Sequence, residues 1–153
     1  MKPKLIVFDL NKTLIHENSW RDLNLALGVT ESEDKQLLAW AEEGIIDDHT
    51  GQAILCNIYK SRSHPTKRAI MDIVGSYTYL PGAKETVAEL HNRGYEIALI
   101  SGAMDMLVKE VADELRIRHW RAANTFVFDD SEVLERIDSV SNDAAHKAEM
   151  LVE

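Results

Sequence analysis

KLIVFDLNKTL, residues 4–14, decides how the rest of this chain is read. Four apolar residues, Leu5 to Phe8, run without alternation and stop at a carboxylate, Asp9. An unbroken apolar run suits a strand buried on both faces, as in a parallel sheet. Two positions past Asp9, where a second carboxylate would complete an acid–base pair, stands the amide of Asn11.

Two further runs are of the same type. EIALI (96–100) ends at Ser101-Gly102, and NTFVF (124–128) ends at Asp129-Asp130. Helical spacing fills the intervals. Met104, Leu107, Val108, Val111 and Leu115 mark one face of a helix over 104–115. Ala83, Val87 and Leu90 mark another over 83–93, with Gly94 as its C-terminal cap. Residues 83–128 therefore read helix, strand, helix, strand, a unit of a doubly wound sheet.

Residues 16–79 carry no strong strand signal. Trp20, Leu23 and Leu27 share a helical face closed by Gly28. Thr30 and Glu33 form a capping box, opening a helix with Leu37, Leu38 and Ala41 inward and Gly44 after it. Ile54, Leu55, Ile58 and Tyr59 predict a third helix. Ile70, Met71 and Val74 predict a fourth, opened by Pro65. This is a small helical module inserted after the first strand.

Bulk properties narrow the partners. The chain has 153 residues, 45% of them hydrophobic, enough for one domain or a compact core with a small insert. Its net charge is −9, from 26 acids against 17 bases, which argues against nucleic acid. A small anionic substrate fits, because a local site can oppose the global sign. Cys56 is the only cysteine, so there is no disulfide framework, and its apolar neighbours make it a small core residue. No apolar run approaches the roughly 20 residues of a membrane span. The opening residues are too short for a signal peptide. A cytoplasmic protein is expected. The histidines show no metal-ligand spacing.

Asp9 and Ser101 both stand at the carboxyl ends of strands expected to be parallel, where open α/β sheets bind ligands. SNDAAHKAEML (141–151) predicts a helix capped by Ser141 or Asn142, with Lys147 near its start. A carboxylate nucleophile, a hydroxyl and a lysine around a helix N-terminus make a phosphate site.

These residues carry a resemblance. FDLNKTL (8–14) resembles the first motif of the haloacid dehalogenase-like phosphatases, Asp-x-Asp-x-Thr-Leu after an apolar strand. LISGA (99–103) resembles the second motif and HKAEML (146–151) the lysine-bearing third. Residues 80–115 resemble the central stretch of the phosphoserine-phosphatase-like subfamily. The resemblance implies an α/β, Rossmann-like core with a parallel sheet, made of residues 1–15 and 80–153. It implies an inserted helical cap over 16–79, and the last core strands are absent. It also implies magnesium-dependent hydrolysis of a small phosphorylated metabolite, a phosphomonoester, through an aspartyl-phosphate. Asp9 would be nucleophile and Mg²⁺ ligand. Ser101, Gly102 and Lys147 would bind phosphate, and Thr13 would support the loop. Asn11 would occupy the acid–base position, its main-chain carbonyl facing the metal.

The chain departs from that pattern in three places. An amide at 11 cannot exchange a proton at neutral pH, and loss of a general acid/base lowers the rate by roughly 10² to 10⁴. The acidic fourth motif should follow the lysine, yet the sequence ends at Glu153. FVFDD (126–130) has its look but precedes Lys147, and Ser131-Glu132 beyond it predicts a hairpin turn. In phosphoserine phosphatases a cap glutamate and arginine read the amino acid. Here Glu17 is shifted and Ile54-Leu55-Cys56-Asn57 offers no arginine, which counts against phosphoserine itself. Two alternatives to an active hydrolase follow: a non-catalytic relative that keeps the phosphate pocket as a binding or structural module, or an inactive or truncated form of an active enzyme. Without a neighbour on its open side, the strand at residues 4–8 would be an edge, predicting a homodimer or swapped oligomer.

Overall fold

The computed structural model describes residues 4–140. Its strands are β1 (Leu5–Phe8), β2 (Glu96–Met104), β3 (His119–Phe128) and β4 (Leu134–Ser139). Its helices are α1 (Ser19–Ala26), α2 (Glu31–Glu42), α3 (Asp48–Arg62), α4 (Lys67–Val74), α5 (Ala83–Asn92) and α6 (Asp105–Glu114). The strands form one sheet in the order β1-β2-β3-β4. β1 and β2 are parallel, with Leu5 opposite Glu96 and Phe8 opposite Leu99. β3 and β4 are antiparallel. The α/β class read from the sequence is the class observed.

The chain falls into two compact units. One contains Tyr77–Ala123 together with residues 4–18; the other contains Ser19–Ser76 together with residues 124–140. β3 begins in the first and ends in the second.

In the first unit, α5 and α6 pack on β2. The periodic residues predicted along this helix, Met104, Leu107, Val108, Val111 and Leu115, are all buried, and so is Ala112. β2 outruns its expected length. It continues through Ser101 to Met104, because Ala103 and Met104 are both fully buried and extend the apolar strand. β1 is different. Among the described residues it pairs on one side only, and Leu5 and Val7 stay 50% and 42% exposed.

In the second unit, α3 packs on β4 and α1 on α4. The hairpin expected after Phe128 is present. Asp129 closes it, its carboxylate accepting from the Ser131 and Val133 amides at 2.9 and 3.0 Å. The hairpin also braces α4: the Lys67 amide donates to the Glu132 carbonyl, and the Leu134 amide to the Pro65 carbonyl. Thr66 caps α4, its hydroxyl accepting from the Ala69 amide, so Pro65 stands just outside the helix rather than opening it.

α2 forms where its capping box predicts: Glu33 N–H to Thr30 Oγ1 at 3.2 Å, and Thr30 N–H to Glu33 Oε2 at 2.9 Å. Its expected inward face does not exist. No residue of α2 is buried, and Leu38 is 58% exposed. Polar ties hold this helix instead. Arg62 of α3 grips the Glu33 carboxylate with both terminal nitrogens, at 2.6 and 2.8 Å. Asp34 accepts from Asn24 at 2.7 Å and from Arg21 at 3.4 Å. Asn24 in turn accepts from the hydroxyl of Tyr59, which is fully buried.

Helix ends repeat one device. At α1, α2, α5 and α6 a residue with positive φ follows the last turn, and the next amide reaches back across it: Val29 to Asn24, Ile45 to Trp40, Tyr95 to Leu90, Ile117 to Ala112. This is the Schellman closure, whose left-handed position favours glycine. Gly28, Gly44 and Gly94 occupy it in three helices; Arg116, at φ 57°, occupies it in α6.

Candidate functional site

The site begins with the turn that follows β1. The Leu10 carbonyl accepts from the Thr13, Leu14 and Ile15 amides at 3.1, 2.9 and 3.3 Å, curling the chain around one oxygen. Lys12 adopts φ 60° to allow it. Leu10, Leu14 and Ile15 are buried and anchor the turn, while Thr13 is exposed. Asp9 and Asn11 are half-buried at its mouth.

β2 brings the second element alongside. Phe8 is opposite Leu99, so Asp9 stands one residue, and Ser101 two, beyond the last paired position of two parallel strands. Both lie at the carboxyl end of the pair. Ser101 is 1% exposed, and its Oγ accepts from the Ala103 amide at 3.1 Å. That bond orients the hydroxyl and leaves its proton for another acceptor. Gly102 follows, half-buried. Asp9, Asn11, Thr13, Ser101 and Gly102 thus all belong to the first unit. Lys147, and the helix predicted over 141–151, lie outside the described residues.

Among the described residues, no three His, Cys, Asp or Glu side chains group as a metal site. Asp9 offers one carboxylate and Asn11 a main-chain carbonyl. Mg²⁺ takes one or two carboxylates plus substrate phosphate and water. The donors present fit that ion once a phosphate is added to them.

Sequence reading missed what supports the turn from behind. Ile15 bridges to Tyr79 in antiparallel fashion; the His16 amide donates to the Thr78 carbonyl, and the Leu80 amide to the Leu14 carbonyl, each at 2.9 Å. The Glu17 carboxylate accepts from the Thr78 amide and hydroxyl at 3.0 and 2.8 Å. Burial pushes the Glu17 carboxyl up, but the two Thr78 bonds, helped by His16, outweigh it and leave the pKa below the usual value. Glu17, shifted from the place of the substrate-reading cap glutamate, is spent on the fold. Beside this clasp, Tyr77 and Tyr79 both donate to Glu114 Oε2, at 2.8 and 2.9 Å. Lys84 donates to the other oxygen at 2.6 Å and sits 4.4 Å above the Tyr79 ring. Burial raises both tyrosines, whereas the Lys84 bond lowers the Glu114 carboxyl. No isolated motif announces this cluster, because its members are spaced across two elements.

Comparison with known proteins agrees with the geometry. A family model described as haloacid dehalogenase-like hydrolase matches residues 6–153. Phosphoserine phosphatase of Methanocaldococcus jannaschii is 29% identical over 132 residues, 86% of this chain and 60% of that protein. A probable phosphoserine phosphatase of Schizosaccharomyces pombe is 27% identical over 99% of this chain and 50% of its own length. The chain therefore spans about half to three fifths of the length of these relatives. Among solved structures, a phospho-aspartyl intermediate analogue of phosphoserine phosphatase superposes with TM-score 0.71 and 26% identity, over 91% of this chain and 64% of that one. A HAD family hydrolase from Salmonella enterica subsp. enterica serovar Typhi shares the fold with TM-score 0.79 at 22% identity, over 98% of this chain and 50% of its own. The ordered motifs, the parallel β1/β2 pair with Asp9 and Ser101 at its carboxyl end, and these matches make the chain a member of the haloacid dehalogenase-like hydrolases, on their phosphoserine-phosphatase-like branch.

Proposed function

We propose that this chain handles a small phosphorylated metabolite as a phosphomonoester hydrolase would, with Asp9 as the group that takes the phosphoryl. A carboxylate oxygen of Asp9 attacks phosphorus, the ester P–O bond breaks, and an aspartyl-phosphate forms; water then releases phosphate and restores Asp9. The Ser101 hydroxyl, the Gly102 amide and Lys147 hold phosphate oxygens, and Thr13 supports the turn. Asp9 and Asn11 would hold Mg²⁺ together with the substrate. When bound, the ion neutralises phosphate charge. The observation that carries this reading is the register of β1 and β2, which sets Asp9 and Ser101 side by side at one strand end.

Asn11 sets the limit on rate. Its amide can hydrogen-bond a phosphate oxygen but gives no proton to the leaving oxygen and takes none from water. The loss is roughly 10² to 10⁴ in rate, about 3–5 kcal/mol of barrier. That favours a second reading, a relative that binds a phosphoryl compound and turns it over slowly or not at all. We further propose that residues 1–15 and 80–153 act as core and 16–79 as cap, that the single buried cysteine fits the cytoplasm, and that residues 4–8 mediate pairing of copies.

Beryllium fluoride with Mg²⁺ tests the assignment. It should attach at Asp9 as a phosphoryl mimic, seen as a fluorine resonance that Asp9→Ala abolishes. Attachment at Asp129 or Asp130 would show that the wrong acidic pair had been chosen.

A further inference from the structure

A concavity lies in the first unit, at the far end of α6 from Ser101. α6 has 10 residues, so at about 1.5 Å per residue the two ends are roughly 15 Å apart. The cavity measures about 780 Å³ and is walled by one side of α5, the C-terminal end of α6 and the start of β3. That volume lies within the span of small-molecule pockets, about 300–1,000 Å³.

Its wall carries uncompensated positive charge. Lys84, Asp113, Glu114, Arg116 and Arg118 all line it. Glu114 is bound by Lys84, and Asp113 by Lys109. The Arg116 amide donates to the Asp113 carbonyl at 3.2 Å, but the side chains of Arg116 and Arg118 make no ion pair or hydrogen bond among the described residues. Two unpaired guanidinium groups sharing a concave wall are unexpected in a chain of net charge −9. Guanidinium is the group that grips phosphate or carboxylate through paired N–H donors. Beside them the wall includes the indole of Trp120 and the ring of His91, whose Nε2 donates to the Leu115 carbonyl at 3.3 Å and is thereby fixed.

The backbone adds an independent argument. Arg116 fills the left-handed closure that the chain gives to glycine at three other helices. Arginine is disfavoured there on conformational grounds. A side chain kept at a strained position points to use of that side chain.

We propose that this cavity binds a phosphate or carboxylate carried on a planar aromatic ring. Arg116 and Arg118 take the anion, and Trp120 takes the ring by stacking. The site is distinct from the Asp9–Ser101 site and does not depend on the reading of it.

Calorimetric titration of the full chain in EDTA with adenosine 5′-monophosphate, adenosine and inorganic phosphate tests this. The monophosphate should bind one-to-one, at least tenfold more tightly than either half. Arg116→Gly and Arg118→Gln should each weaken it at least tenfold. Arg116→Gly restores the residue the closure prefers, so the variant keeps its fold, checked by an unchanged or raised Tm. Ser101→Ala should leave binding unaltered. Absence of binding, equal binding of phosphate alone, indifference to both arginine variants, or loss with Ser101→Ala would each overturn the proposal.

Discussion

Glu17 holds Thr78 by both its amide and its hydroxyl, across 61 positions of sequence. The two residues flank the segment 19–76, so this clasp binds together its points of departure and return. The Glu17 pKa is lowered in the folded state. A depressed carboxyl stabilises the fold above its unfolded pKa and loses that effect as pH falls through the folded one. We expect Glu17→Gln to lower the protection factor of the Thr78 amide at pH 7, and the unmodified chain to lose the same protection, relative to intrinsic exchange at each pH, as pH drops below about 4.5. A protection factor indifferent to both changes would remove the clasp from the account.

Asn11→Asp should raise hydrolysis of an aryl phosphate by about 10² to 10⁴, followed as release of 4-nitrophenolate with Mg²⁺ present. An aryl leaving group needs little protonation, so an alkyl phosphate should gain more than an aryl one. Brisk hydrolysis by the unsubstituted chain would contradict the idea that the amide holds the rate down.

The grip of Arg62 on Glu33 holds that carboxyl down to about 2, from 4.5. The group therefore contributes its full effect above pH 4.5 and loses it as pH falls toward about 2. Carbon-detected titration of Glu33 should show this, and Arg62→Ala should return the midpoint most of the way to the ordinary value. A midpoint near 4 in the parent chain would mean that the pair does not form in solution.

Tyr59→Phe deletes the donor to Asn24 while keeping the ring. The Asn24 carbonyl oxygen is then left buried and short of that bond, at a cost of roughly 1–3 kcal/mol. Urea unfolding should show a lower midpoint with an unchanged m-value. A neutral substitution would mean that water takes the hydroxyl's place.

The exposed flank of β1 predicts association. Leu5 and Val7 are about half exposed on a strand that, among the described residues, is paired on one side only. Burying such side chains fully is worth roughly 1.5–3 kcal/mol each. The chain should sediment as more than a monomer at micromolar concentration, and Val7→Lys, a charge of the kind that blunts edges, should return it to monomer. A dilute monomer whose amides at 4–8 exchange freely would defeat the argument.

What the sequence disclosed follows a physical divide. Short-range patterns were legible: the end of β1 at Asp9, the capping box of Thr30 and Glu33, the glycine closures, the hairpin behind Asp129. Each is written within a few neighbouring residues. The failures are long-range. Leu37, Leu38 and Ala41 have the spacing of a buried stripe, yet α2 has no core to face, and only Arg62, Asn24 and Arg21 on other helices explain its position. The structural role of Glu17 was hidden because its partner, Thr78, is remote in sequence. The pairing of Tyr77, Tyr79 and Lys84 on Glu114 is likewise invisible until two elements meet.

The division of β3 between two packing units has a consequence for modularity. The chain passes from one unit to the other at residues 18–19, 76–77 and again at 123–124. The helical segment is therefore not a removable cassette. Cys56 and Lys60 of α3 both reach the Glu135 carbonyl of β4, and Thr66 bridges to Val133. A fragment of 19–76 alone would leave those contacts open, and a core spliced across 18 and 77 would carry an orphaned hairpin. Exchange of this segment between relatives can succeed only as two co-inherited pieces, with the hairpin travelling alongside the helices it supports.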